Sequence, residues 1–253
     1  MRSMSTAVAR GCLASLLILV GGEARAGLVS IPFNLGNFSH PLYISNDYFP
    51  LSVGRHIVYS ETGPEQCLTI DVVVTSRAKS FGGAYAGLVA REVSDRAWLD
   101  VDCSGGRGLL IEDTLDWYGQ DNAGNVWYFG EDTTEYQYDG QGQVIGADKT
   151  GSWEAGVNGA VAGLIMLAHP TTGQYYRQEY LAGQAEDMGK VVATKVKLTI
   201  GLGQFNNCIE TKEWTALEKG TVAYKYYCPQ VGGILEIEHS GGTTLTEATD
   251  LGL

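Results

Sequence analysis

Leu68-Thr69-Ile70-Asp71-Val72-Val73-Val74-Thr75 is the stretch that decides the fold class. Leu68, Ile70, Val72 and Val74 recur at every second position, and β-branched residues dominate the run, so it reads as a strand with one apolar face. Working outward, residues 84–93, 97–103 and 108–117 repeat strand-like patterns at the spacing of a meander. Residues 190–200 and 233–238 add strands toward the C-terminus. Glycine is abundant (34 of 253 residues) and proline scarce (6), a composition suited to strands joined by glycine turns. Residues 160–168 are apolar all round, which fits a buried helical turn or a buried strand, and 184–190 reads as a second short helical turn. The expected fold is all-β and mainly antiparallel: a curled half-barrel, a barrel or a sandwich, with one or two short helical turns. No Pro-rich linker, charge block or fixed-period repeat divides the chain, so one β-rich domain over 27–253 is expected.

The first 26 residues stand apart. Arg2 and Arg10 precede a short apolar stretch, Leu13 to Val20, and Ala24-Arg25-Ala26 forms an A-x-A site before Gly27, the three parts of a secretory signal peptide. The expected location is therefore secreted or periplasmic. Without Arg2, Arg10, Arg25 and Glu23, the chain's 17 bases and 29 acids become 14 and 28, a net charge of −14. Such a balance argues against binding nucleic acid or an anionic membrane surface, and the apolar stretch is too short for a membrane span.

Four cysteines follow the signal peptide: Cys67, Cys103, Cys208 and Cys228. An even number in an exported chain points to two disulfides, with three connectivities available. Residues 208–214 and 221–228 are strand-like runs flanking Ala216-Leu217-Glu218-Lys219-Gly220. A hairpin centred near Glu218 sets Cys208 opposite Cys228, and Cys67 to Cys103 follows by elimination. The cysteines have no C-x-x-C spacing and His40, His56, His169 and His239 are scattered, so zinc is disfavoured.

Between Arg107 and Lys149 the chain has nine acids and no base. If 114–120 and 126–132 pair as strands, side-chain alternation sorts them. Trp117, Trp127 and Phe129 then enter the core, and Asp116, Tyr118, Tyr128 and Asp132 stand together on the outside as the candidate binding face. Three readings of that face are open. It is a solvated, solubilising hairpin, a Ca²⁺ site built from Asp116, Asp121 and Asp132, or a carbohydrate platform. Asp121-Asn122-Ala123-Gly124-Asn125 departs from the usual calcium loop, so charge density alone supports the cation. No other cofactor is expected.

Catalytic motifs are missing: no G-x-S-x-G, no H-E-x-x-H, no phosphate-cradling glycine loop. A carboxylate pair leaves no local signature, and Glu179 with Glu186 and Asp187 are its candidates by proximity, although Arg177 reads as an ion-pair partner of Glu179. Glu236 and Glu238 alternate onto one face, expected to point outward. Gly82 to Gly87 permits strong strand curvature, and 160–168 could line or plug the mouth of a barrel.

Tyr48 to Tyr59, Asp116 to Asp121, Gly124 to Asp132, Gly151 to Gly156, Tyr176-Arg177-Gln178-Glu179 and Ala185-Glu186-Asp187 resemble stretches of an uncharacterised family of secreted bacterial β-rich proteins. The resemblance covers most of the chain after residue 26, and implies export and a β fold but no activity. The expected function is that of an exported, non-enzymatic binding protein. It would take a small ligand in a curved sheet, or a glycan or protein partner on the sheet face. The alternatives are a secreted carbohydrate-active enzyme using a carboxylate pair and a Ca-stabilised extracellular structural protein.

Overall fold

The structure is a computed structural model that describes residues 26–64 and 66–252, so the expected signal peptide lies outside the described residues except for Ala26. In chain order the strands are β1 (Gly27–Leu28), β2 (His56–Thr62), β3 (Cys67–Ser80), β4 (Val89–Asp100), β5 (Leu110–Gln120) and β6 (Val126–Tyr138). They continue with β7 (Val144–Asp148), β8 (Trp153–Glu154), β9 (Val161–Met166), β10 (Gln174–Arg177) and β11 (Glu179–Tyr180). The last five are β12 (Asp187–Ile200), β13 (Gly203–Thr215), β14 (Val222–Cys228), β15 (Gly232–His239) and β16 (Thr243–Gly252).

All of them join one sheet in the order β1-β10-β12-β13-β14-β15-β16-β2-β3-β4-β5-β6-β9-β11, with β7 and β8 added along β6. Only β1 pairs in parallel, with β10. The two ends of this path are consecutive pieces of one run: β10 pairs with β12, β11 pairs with β9, and Gln178 lies between them. The sheet is therefore curled until its ends meet at residues 174–180, around a concave interior. Gly163 on β9 makes that meeting feasible, because a Cβ there would stand 2.4 Å from the Gln178 carbonyl oxygen.

Several local expectations are corrected. Residues 97–103 are not a separate strand, since β4 runs unbroken from Val89 to Asp100. The Gly82–Gly87 stretch is a helical turn, Gly83–Tyr85, with Gly83 and Gly87 at φ of 57° and 94°, and not a curved strand. Its counterpart is Leu35–Asn37, whereas 184–190 takes in the end of a tight turn bridged from Leu181 to Ala185 and then, from Asp187, the start of β12. The apolar 160–168 segment resolves as the strand β9.

The disulfides join Cys67 to Cys103 and Cys208 to Cys228. Ile209 pairs with Tyr227, so the β13–β14 hairpin brings the second pair together as its pattern required.

Both faces of the sheet are buried near β5 and β6. Outside, Trp117, Trp127 and Phe129 are covered by Phe38, Phe81 and Tyr85, with Phe33 packed against them. Inside, Val74, Val93 and Tyr227 pack on Ile44 and Leu51 of the segment that precedes β2, which plugs one end of the curl. Asn46 pins this plug by donating from Nδ2 to the carbonyls of Gly124 and Leu167.

Candidate functional site

Alternation along β5 and β6 does not continue uniformly. Asp116 pairs with Glu131 and Tyr118 with Tyr128, so Trp117 alone on β5 faces Phe129 and Gly130 on β6. This is a β-bulge, and it reverses which side chains share a face. Gly130, with φ of 136°, occupies it. A Cβ at this position would stand 2.3 Å from the Trp153 carbonyl oxygen, where β8 pairs with β6. Beyond the bulge Glu131 turns inward with Tyr128, and Asp132 turns outward to an exposed ion pair with Lys149 at 2.5 Å.

The expected outer face is thus corrected on two counts. Asp116 and Tyr128 are buried on the concave side, not solvated, because the sheet curls around that face while the N-terminal segment covers the other. Tyr118 joins them, its ring stacked on Tyr128 with centroids 4.9 Å apart. The Tyr128 hydroxyl donates to Asp116 Oδ1 at 2.6 Å. Of the four, Asp132 alone lies on the outside as expected, paired with Lys149.

The curl surrounds a half-open cavity of about 280 Å³. Its apolar lining comes from alternating positions such as Ile57, Ile70, Val72, Val93 and Ile234. The polar lining is Arg55, Glu61, Asp95, Asp116, Lys225 and Glu236, with phenols from Tyr59, Tyr118 and Tyr227. On one wall Lys225 Nζ lies 3.2 Å from Glu213 and 3.5 Å from Glu236, on the strands either side of β14. Burial opposes its charge, but these two carboxylates outweigh burial and hold the ammonium well above its ordinary range. Arg55, at the plugged end, donates to the carbonyls of Val231 and Gln230.

The opposite wall has no ion pair of this kind, and Lys225 only partly offsets its negative charge. Val93 pairs with Asp116, which makes Asp95 the diagonal neighbour of Asp116 on β4. Among the described residues Asp95 has no hydrogen-bond or ion-pair partner, and burial followed by repulsion from Asp116 pushes its carboxyl well above the usual range. Burial also raises Asp116, to about 6, against the lowering effect of the Tyr128 hydroxyl. Glu131 rises to about 8 through burial and the nearby Asp116, and Glu179 to about 7 through burial and Asp187. Asp116 is buried and the other three are half-buried, so partial desolvation and mutual repulsion together raise the cost of ionising them.

The three acids expected to hold calcium do not converge. Asp116 lies in the interior and Asp132 outside with Lys149. Asp121 is buried in the β5–β6 turn, where it accepts from the backbone of Ala123 and Asn125, from Asn125 Nδ2 and from Trp127 Nε1, all within 3.0 Å. No group of three metal-ligating side chains placed to hold an ion occurs among the described residues. Arg177, expected to pair with Glu179, instead stacks over the Tyr180 ring at 4.6 Å. Glu236, expected to face outward, faces Lys225 inside the curl. The same correction holds for Glu238, two positions along the same strand, whose carboxyl burial and Glu236 push up.

Sequence reasoning missed Asp95, Glu131, Glu213 and Lys225. Their signal was present for three of them: Val93, Asp95 and Ala97 share one parity, as do Thr211 with Glu213 and Ala223 with Lys225 and Tyr227. An acid or lysine on an otherwise apolar parity is what a polar site in a barrel interior looks like. Glu131 had no such signal, since only the bulge brings it in.

No protein-family model matches the chain, and no curated protein matches it. Among solved structures, it is similar to a protein of Bacteroides fragilis NCTC 9343 described as exported, with a YmcC-like fold. There the TM-score is 0.39 and the identity 12%, over 82% of this chain and 100% of that one. It is also similar to a protein of Parabacteroides distasonis ATCC 8503 described as a lipoprotein, with TM-score 0.38 and 11% identity over 81% of this chain and 98% of that one. At these levels of likeness the site has to be read from the chain's own residues. No helix among the described residues is long and apolar enough to cross a membrane.

Proposed function

We propose that this chain is an exported binding protein that holds a small ligand, without turnover, in the cavity of its curled sheet. The observation that carries this reading is the cavity of about 280 Å³, apolar over much of its lining and entered by Asp95 with no partner of its own. Pockets of this kind combine an apolar lining with a few convergent polar groups. A half-buried carboxylate that faces a cavity without a donor of its own gains nothing for the fold from that position, which favours a role in recognition over one in folding. Two disulfides fit an oxidising compartment outside the cytoplasm.

Native mass spectrometry of protein purified from its own host tests this reading. The expected spectrum shows a retained small molecule that Val93→Phe, which fills the cavity, excludes. A ligand-free spectrum, together with no ligand-dependent melting shift across a broad metabolite panel, would overturn it.

The raised carboxylates Asp116, Glu131 and Glu179 favour a second reading, hydrolysis of a glycan by a carboxylate pair, because perturbed acids cluster at catalytic sites. Release of cleaved sugars from a glycan panel, lost in Glu131→Gln, would establish it in place of simple binding.

A further inference from the structure

The cavity reading above leaves the chemical class of the ligand open, and on that reading we infer that it is a small organic cation, a primary amine on an apolar body. The charges of the lining are unevenly satisfied. Lys225 is already shared between Glu213 and Glu236, and Arg55 is committed to the backbone carbonyls of Val231 and Gln230. Both cations of the lining are thus occupied. Of the carboxylates facing them, Asp116 has the Tyr128 hydroxyl, and Asp95 has no partner among the described residues. The Tyr59 hydroxyl donates to the Gly233 carbonyl at 2.9 Å, which leaves its oxygen free to accept. An ammonium group placed between Asp95 and Asp116 would supply the missing donors and cancel the repulsion between these diagonal neighbours.

The remainder of the lining sets the other end of the molecule. Ile57, Ile70, Val72 and Ile234 offer no donor or acceptor from their side chains, so the ligand's body is a hydrocarbon chain or ring. The cavity of about 280 Å³ lies at the small end of ligand pockets, which suits a small molecule. An anion would meet Asp95 and Asp116 directly. A bare metal ion would leave the apolar part of the lining without a function. Glu61 of the lining, with Glu236, Glu238 and Glu112 near enough to raise its carboxyl, adds to the interior's negative charge, a field that draws cations inward.

Phenethylamine, 1,5-diaminopentane, 2-phenylethanol and 3-phenylpropionate, titrated calorimetrically at pH 7.5, test the inference on the unaltered protein. At least one amine should bind, phenethylamine at least tenfold more tightly than the isosteric alcohol, and the carboxylate should not bind. Asp95→Asn should weaken the amine tenfold or more and leave the alcohol unchanged, and Val93→Phe should abolish both. Equal binding of alcohol and amine, still abolished by Val93→Phe, would overturn the amine assignment while supporting the cavity. Failure of both amines to bind at millimolar concentration would overturn it as well. The retained mass seen in the native spectrum judges the cavity separately. Binding of phenethylamine that survives Val93→Phe would place the amine elsewhere and overturn the assignment to this site.

Discussion

Asp121 and Asp95 are acids on the same curled sheet, and their surroundings are opposite. The Asp121 carboxylate sits in the β5–β6 turn with four donors around it, one of them the indole of a core tryptophan. Asp95 lines the cavity with none, beside a second carboxylate that repels it. A buried acid whose acceptor sites are all used is a fastener for its turn, because its burial is compensated within the fold. One whose sites are empty is compensated either by keeping its proton or by a donor from outside the chain. Burial alone does not separate structural from functional acids; the count of donors does.

The most forceful way to break this contrast is at the fastened end. Trp127→Ala removes a ring that packs on Phe33, Phe38 and Phe129 and frees an Asp121 oxygen. It should cost about 3–5 kcal/mol in chemical denaturation. A variant that melts with the native protein would mean that the outer aromatic layer is not a core. Asp121→Asn keeps the shape but turns an acceptor into a donor facing N–H groups, and should cost about 1–3 kcal/mol. Its melting temperature falls accordingly if the turn depends on that carboxylate.

The unfastened end predicts the dependence on pH. Asp116, Glu131 and Glu179 have folded values of about 6, 8 and 7, all above their ordinary ones. The native state therefore holds more protons than the unfolded chain between roughly pH 4 and 8, and stability falls as pH rises through that window. Melting at pH 5 should exceed that at pH 8 by at least about 3–6 °C, the equivalent of roughly one pK unit of proton binding in a chain of this size. The opposite slope would show that the interior carboxylates are solvated or paired.

Asp95→Asn sharpens the contrast in the other direction. Removing a repelled, unpartnered charge should be neutral or stabilising, by up to ~1 kcal/mol or about 2–4 °C, while ligand retention is lost. A strongly destabilised Asp95→Asn would make Asp95 a second fastener. The smallest effect expected is that of calcium. With Asp116, Asp121 and Asp132 dispersed, millimolar Ca²⁺ should shift melting no more than NaCl of matched ionic strength. A calcium-specific rise abolished by Asp132→Asn would show that the acids converge in solution.

Much of the fold could be read locally. The alternation of Leu68, Ile70, Val72 and Val74 specifies a strand, and the two runs around Glu218 specify a hairpin whose ends bring Cys208 to Cys228. Parity also places Trp117, Trp127 and Phe129 together in the core, as their burial shows. These features depend on residues close along the chain, where a period of two or a short turn is sufficient information. What alternation cannot say is which face of a strand ends up enclosed, because it defines two faces and names neither. Asp116 and Tyr128 look solvated only while the sheet is imagined flat. The curl that encloses them depends on β10 and β11 meeting opposite ends of the sheet across Gln178, a contact between distant segments. The exchange of Asp132 for Glu131 depends on one extra residue at Gly130, accepted because β8 approaches the backbone where a side chain would collide with it. Strands, hairpins and cross-links follow from short-range pattern, whereas register, curl and the identity of the inner face are settled by contacts with segments far away along the chain.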